Sequence, residues 1–277
     1  MLIEPRGADF LKQVEAFLFK LVEHSGCLVT VDSTRGSVPR DQGAWMAVFD
    51  DQVIGTVGGG QLEFQAIAQA RTNLQAKAIG SALVVRYALG PNLGQCCGGE
   101  MHLKFELVHS GQADELHTRL KAALTPVALF GGGHVGKALV QVLATLPFAI
   151  TWIDSRDEIF PLGLPPQVRC EHSEPVQGAV AALDAGSQVL IMSFSHAEDL
   201  DVVAACLMRQ RERRDLPFIG LIGSKTKWAR FRHQLEVRGF ATDELNHVTC
   251  PIGVVGINSK LPEVIAIAVA AQLLLER

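Results

Sequence analysis

At 277 residues the chain is long for one domain and comfortable for two, with enough length for each to bury its own core. A hydrophobic share of 48% against 19% charged residues describes a soluble globular protein, and a net charge of −4 excludes the broad basic surface of a nucleic-acid or acidic-membrane binder. No stretch reaches the apolar length of a membrane span. Met1–Arg6 also lacks the charged-then-apolar layout of a signal peptide, so a cytoplasmic location is expected.

Asp9 is placed to cap a helix over 10–24, whose apolar positions 10, 11, 14, 17, 18, 21 and 22 form one stripe. Strands follow at 27–32, 44–49 and 53–57, with Asp50 and Asp51 turning the last two into a hairpin. The intervening loop, Ser33 to Arg40, carries Arg35 and Arg40 with three hydroxyls and a proline. It reads either as a seat for an anion or as a solvated turn. Gly58, Gly59 and Gly60 then open a helix over 61–75, a strand–glycine–helix device able to hold a second anion. Glu63 in its first turn suits the helix dipole and competes with such a ligand.

Strands at 82–89 and 101–108 flank Gly94-Gln95-Cys96-Cys97-Gly98-Gly99. A thiol pair fenced by glycines lies on backbone free to approach a ligand, where N–H groups can stabilise a thiolate. The bland alternative is a glycine-rich hairpin with two unreactive thiols. None of the six cysteines forms a zinc-type C-x-x-C pair, and adjacent Cys96 and Cys97 can join only with strain. Cys27 and Cys206 sit in apolar patterns and read as small buried hydrophobes. The first domain is thus expected over 1–110, with a linker and short helix over 111–125 and a second domain over 126–277.

The second domain opens on the densest motif of the chain. Val127 to Phe130 suit a buried strand, Gly131, Gly133 and Gly136 supply G-x-G-x-x-G, and a helix runs on to Leu146. A second strand, 148–153, ends in Asp154, 18 residues past Gly136. That context is one of phosphate capture at a helix N-terminus, with an acid placed for a ribose or another polyol. Strands at 167–170, 187–193 and 218–222 alternate with helices at 175–184, 199–214 and 226–238, and a final apolar helix covers 264–275. The alternation predicts a parallel sheet with helices on both faces. Its carboxyl rim would gather the glycine turn with His134, Asp154, Arg156, His196 and Lys225. His196 reads as a proton shuttle or a polar loop residue, and Lys225 with Lys227 as phosphate partners or solvated lysines. Cys250-Pro251-Ile252-Gly253 reads as a structural bend.

Five motifs occur together in one order: Gly55 to Glu63; Gly94 to Gly99; the glycine turn with Asp154-Ser155-Arg156; Ile219 to Lys227; and Cys250 to Gly253. In this combination the chain resembles the XdhC/CoxI family, accessory proteins of molybdenum hydroxylases, over about residues 15–275. The double cysteine resembles the xanthine dehydrogenase branch, Gly132 stands where alanine is common, and Ala197 replaces an acid that often follows the histidine.

The resemblance implies an α/β chain with a C-terminal Rossmann-like parallel sheet and a smaller N-terminal α+β domain. It implies a non-catalytic chaperone that binds the molybdenum cofactor in its molybdopterin form, supports its sulfuration by a cysteine desulfurase and inserts it into apo xanthine dehydrogenase. Residues implied in cofactor binding are Gly131, Gly133, His134, Gly136, Asp154, Arg156, Cys96, Cys97, Arg40, Gly58, Gly59, Gly60, His196 and Lys225, with Cys97 toward the molybdenum. Soft thiolate suits a molybdenum–sulfur centre. The rival reading is an NAD(P)-dependent oxidoreductase that uses the same turn for pyrophosphate, Asp154 for the ribose and His196 or Lys225 as proton donor. A homodimer is expected because two-fold dimers are the commonest assembly.

Overall fold

The computed structural model describes residues 10–76, 82–90, 98–121 and 124–276. Asp9, Cys96 and Cys97 lie outside the described residues. The described residues divide into two compact units, one within 11–121 and the other made of 124–276 together with Phe10.

The first unit is built on a five-stranded antiparallel sheet: β1 (Gly26–Arg35), β2 (Trp45–Val48), β3 (Val53–Gly55), β4 (Leu83–Ala88) and β5 (Glu100–Val108), in the order β3-β2-β1-β5-β4. Alternation sends Cys27, Val29 and Val31 to one face, where they meet Leu62, Ala66 and Ala70 of α2 (Gly60–Ala76). The opposite face carries Trp45 and Phe49, and α1 (Phe10–Glu23) lays Phe17 between them at 5.6 and 6.1 Å between ring centroids. The buried stripe of α1 is Leu11, Val14, Phe17 and Leu21. It is narrower than the sequence stripe, since Val22 is 67% exposed. Strand β1 also runs further than its hydrophobic core predicts. Ser33, Thr34 and Arg35 pair with His102, Met101 and Glu100 after an irregularity at Val31, because the long partner β5 offers them backbone partners. The helix α3 (Ala113–Lys121) completes this unit.

The second unit is a six-stranded, wholly parallel sheet. Its strands are β6 (Thr125–Phe130), β7 (Phe148–Asp154), β8 (Val168–His172), β9 (Gln188–Ile191), β10 (Phe218–Leu221) and β11 (Val248–Thr249), ordered β11-β10-β9-β6-β7-β8. The chain winds outward one way from β6 to β8 and then the other way from β9 to β11. The switch point therefore lies between β6 and β9, where such sheets open a crevice. One face is covered by α4 (His134–Leu143) and α8 (Pro262–Leu275). The other is covered by α5 (His196–Arg213), α6 (Lys225–Val237), the four-residue α7 (Thr242–Leu245) and a 3-10 turn over Val176–Ala182. The sequence pattern predicts a helix for that last segment; Gly178 in its middle weakens α-helix formation, and the segment closes in the tighter form. Strand β11 is too short to show any period and escapes sequence reading.

Phe17 is fully buried. Phe17→Ala should lower stability by about 3–5 kcal/mol, seen as an earlier urea midpoint followed by the fluorescence of its neighbour Trp45.

Candidate functional site

The glycine turn connects β6 to α4, and each glycine in it has its own physical reason. Gly131 has φ +120°, and a Cβ there would fall 2.0 Å from the Met192 carbonyl oxygen. A Cβ on Gly136 would fall 2.1 Å from the Gly131 carbonyl oxygen, so this glycine lets the helix close on the strand. That same carbonyl accepts a hydrogen bond from the Trp152 indole at 3.0 Å. Gly133 differs: nothing lies within 4 Å of its Cβ position. It is the N-cap of α4 and makes no side-chain capping bond, so no side chain of this residue satisfies the free N–H groups of the helix's first turn. At the adjoining end of β9, Ser193 Oγ is buried and without a hydrogen-bond partner.

Gly132 is the tightly packed member of the turn. A Cβ here would meet Ile159 Cγ1 at 2.5 Å and Asp154 Oδ2 at 3.2 Å. The Gly132 N–H donates to Asp154 Oδ2 at 2.6 Å. Asp154 is 2% exposed and also pairs with Arg156, whose guanidinium lies 4.5 Å over the Phe194 ring. Burial pushes the Asp154 carboxyl up, but the hydrogen bonds from Arg156 and Gly132 outweigh it and hold the group below its ordinary value.

A second network joins the loops after β9 and β10. Asp199 accepts the Ser193 N–H at 2.7 Å and pairs with Lys227, whose ammonium also donates to the Ile222 carbonyl at 2.8 Å. Glu198 accepts from the Ser155 hydroxyl at 2.8 Å and the Phe194 N–H at 3.1 Å, tying the end of β7 to the same loop. Sequence reading places Lys225 at this rim; it is exposed, and Lys227 is the lysine that anchors. His134 and His196 are the exposed first residues of α4 and α5, and His196 meets Phe231 edge-on at 6.3 Å. Asp199, Glu198, Trp152 and Ile159 were not singled out from sequence. Their roles come from partners distant in the chain: Ser155 for Glu198, Lys227 for Asp199, Gly131 for Trp152 and Gly132 for Ile159.

In the first unit the loop around Arg40 packs against both of its glycine motifs. Pro39 lies 2.6 Å from the Cβ position of Gly58, and the Ser37 and Arg35 carbonyls lie 2.3 and 2.7 Å from that of Gly99. Arg40 is half-buried beside these contacts. The turn at Gly58–Gly60 holds an anion from within: Glu63 Oε2 accepts from the N–H groups of Val57 and Gly59 at 3.1 Å each and from the Thr56 hydroxyl. An anion in that turn is therefore the chain's own carboxylate, which wins because it is tethered seven residues or fewer from its donors.

Burial pushes the thiols of Cys27 and Cys206 up to about 12 and that of Cys250 to about 11, and it raises Cys170 as well. The four described thiols are protonated at neutral pH, and Cys27 and Cys206 are buried as small hydrophobes. Among the described residues no three His, Cys, Asp or Glu side chains gather as a metal site, and no helix is long and apolar enough to cross a membrane.

With this geometry in hand, comparison with known proteins is informative. The profile of the XdhC Rossmann domain matches residues 127–273, and that of the XdhC and CoxI family matches residues 23–88. An uncharacterized protein of Escherichia coli (strain K12), YqeB, is 27% identical over 261 residues, which cover 91% of this chain and 44% of that protein. The chain thus spans less than half the length of this relative. A crystal structure described as a xanthine dehydrogenase from Bacillus halodurans superposes with a TM-score of 0.73 at 19% identity, covering 95% of each chain; this likeness is one of fold.

Removing the ammonium from the buried pair, in Lys227→Met, leaves Asp199 buried without its counter-charge and should cost about 3–5 kcal/mol. Adding Asp199→Asn should recover part of that loss in a denaturation cycle. The depressed Asp154 carboxyl sets a sign for acid. Its stabilisation is complete above roughly pH 4 and drains as pH falls through its lower folded value. Thermal melts between about pH 2 and pH 5 should show this limb in the native chain and a flatter one in Asp154→Asn.

Proposed function

The chain belongs to the XdhC and CoxI family, and from that premise we propose that it takes the molybdenum cofactor as cargo, shields it, presents it for sulfuration by a cysteine desulfurase and passes it to apo xanthine dehydrogenase. The observation that carries this reading is the bare anion seat at Gly133. Open backbone, an uncapped ten-residue helix and a buried hydroxyl without a partner suit the terminal phosphate of molybdopterin. The first unit's corresponding turn is already filled by Glu63, so it supplies no competing phosphate seat.

Residue roles follow from what each group offers. Gly131 and Gly136 permit the close backbone approach that aims the N–H groups, and Gly133 leaves them uncovered. Asp199 and Lys227 hold the β9 loop in place, and His134, His196 and Lys225 line the outer rim. Cys97, with Cys96, is the proposed soft donor toward molybdenum; both lie outside the described residues, and the proposal rests on their Cys-Gly-Gly setting. Arg40, in the loop whose Ser37 and Arg35 carbonyls pack on Gly99, suits an anionic part of the cargo. When bound, the cofactor brings a molybdenum–sulfur centre whose chemistry belongs to the client enzyme. A cytoplasmic homodimer is part of the same reading. The oxidoreductase alternative needs His196 or Lys225 as proton donor, and both sit exposed at helix starts.

Protein isolated from molybdenum-replete cells should release a fluorescent pterin on oxidation. Gly133→Glu places a carboxylate on the phosphate seat and should cut retention by about tenfold or more. Cys97→Ala should lose the metal-bearing form preferentially while keeping pterin binding. Steady NAD(P)H turnover untouched by Cys97→Ala, with no pterin retained, would sink the chaperone reading.

A further inference from the structure

An acid at the end of the second strand of such a sheet ordinarily accepts the hydroxyls of a ribose. Asp154 occupies that position with its acceptor capacity already spent. Its Oδ1 accepts the Arg156 N–H at 2.9 Å and Nε at 2.8 Å, and its Oδ2 accepts the Gly132 N–H at 2.6 Å and Arg156 Nη2 at 2.9 Å. A carboxylate offers about four lone-pair sites, and all four are in use. The guanidinium is pinned a second time by its stack on Phe194. Ile159 covers Gly132 from the same side, with Cγ1 and Cγ2 at 2.5 and 2.9 Å from the Cβ position. The other half of the turn, at Gly133, is bare.

From this asymmetry we infer that Arg156 is a specificity-determining residue. By locking Asp154 it closes the ribose subsite, so that the turn accepts a phosphate monoester and rejects ligands that must place a free ribose diol beside it. To admit a diol, the fork would have to leave Asp154, exchanging two parallel charge-assisted bonds for weaker neutral ones and unstacking from Phe194. A phosphate at Gly133 asks nothing of Asp154. The inference rests on the phosphate seat described above and adds what that seat excludes. Asp154 and Arg156 are thereby committed to each other, and neither reads a sugar.

NADH, whose fluorescence reports binding, is the direct probe on the full chain. The native protein should show no saturable binding at concentrations where Arg156→Ala, with Asp154 uncovered, binds at least tenfold more tightly. The gain should vanish in Arg156→Ala combined with Asp154→Asn, and added guanidinium ion should suppress it in Arg156→Ala alone. A merely structural role for Arg156 predicts no such rescue. Arg156→Met, which keeps an apolar chain against Phe194, serves if the alanine variant does not fold. Saturable NADH binding by the native chain that depends on Asp154, or a folded Arg156 variant with no gain, overturns the inference. Failure of the native protein to retain molybdopterin would instead count against the chaperone reading and leave the NADH comparison standing.

Discussion

The second unit depends on how closely backbone can approach backbone at the first glycine turn. Gly131 sits against the Met192 carbonyl, Gly136 against the Gly131 carbonyl, and no side chain fits at either contact. The Trp152 indole then takes the Gly131 carbonyl that this compression leaves facing the strand. Strand, turn and helix are thereby locked at the switch point between β6 and β9. Every donor the turn presents is aimed before any ligand arrives, which is the sense in which such a site is preorganised.

Two turns of the same glycine-rich kind meet opposite fates in this chain. At Gly58–Gly60 the acid three residues along folds back and satisfies the N–H groups itself. At Gly131–Gly136 the corresponding helix residues are Val135, Gly136 and Lys137, none of which can accept; Asp154 takes the Gly132 N–H, and the helix that follows Gly133 has no side-chain cap. A nest that caps itself is a structural joint, and one that does not is a seat for an outside anion.

Around the uncovered seat, charged groups are used to hold loops. Asp199 and Lys227 bridge the loops after β9 and β10 through the Ser193 N–H and the Ile222 carbonyl, and Glu198 ties Ser155 to Phe194. Such networks are worth little as stability when exposed, and this one is largely buried, so its members are mutually dependent. The result is a rim whose charged side chains are largely spent on one another.

Much of this architecture was legible without coordinates. Alternation of apolar runs with helical periods placed nearly every strand and helix of the parallel sheet, and glycine spacing found the turn, because both signals are local. The short β11, the 3-10 form of Val176–Ala182 and the extension of β1 to Arg35 were not legible, since each depends on a partner strand or on packing. The same division runs through the site. Sequence alone determined that Gly131–Gly136 opens a helix and that an acid closes the next strand. Tertiary structure decided that Asp154 is saturated by a donor 22 positions away and its own neighbour arginine, and that Lys227, not Lys225, meets an acid 28 positions away. Whether a polar group is free for a ligand is a question of which acceptors and donors share a few ångströms of space, and chain order does not carry that distance.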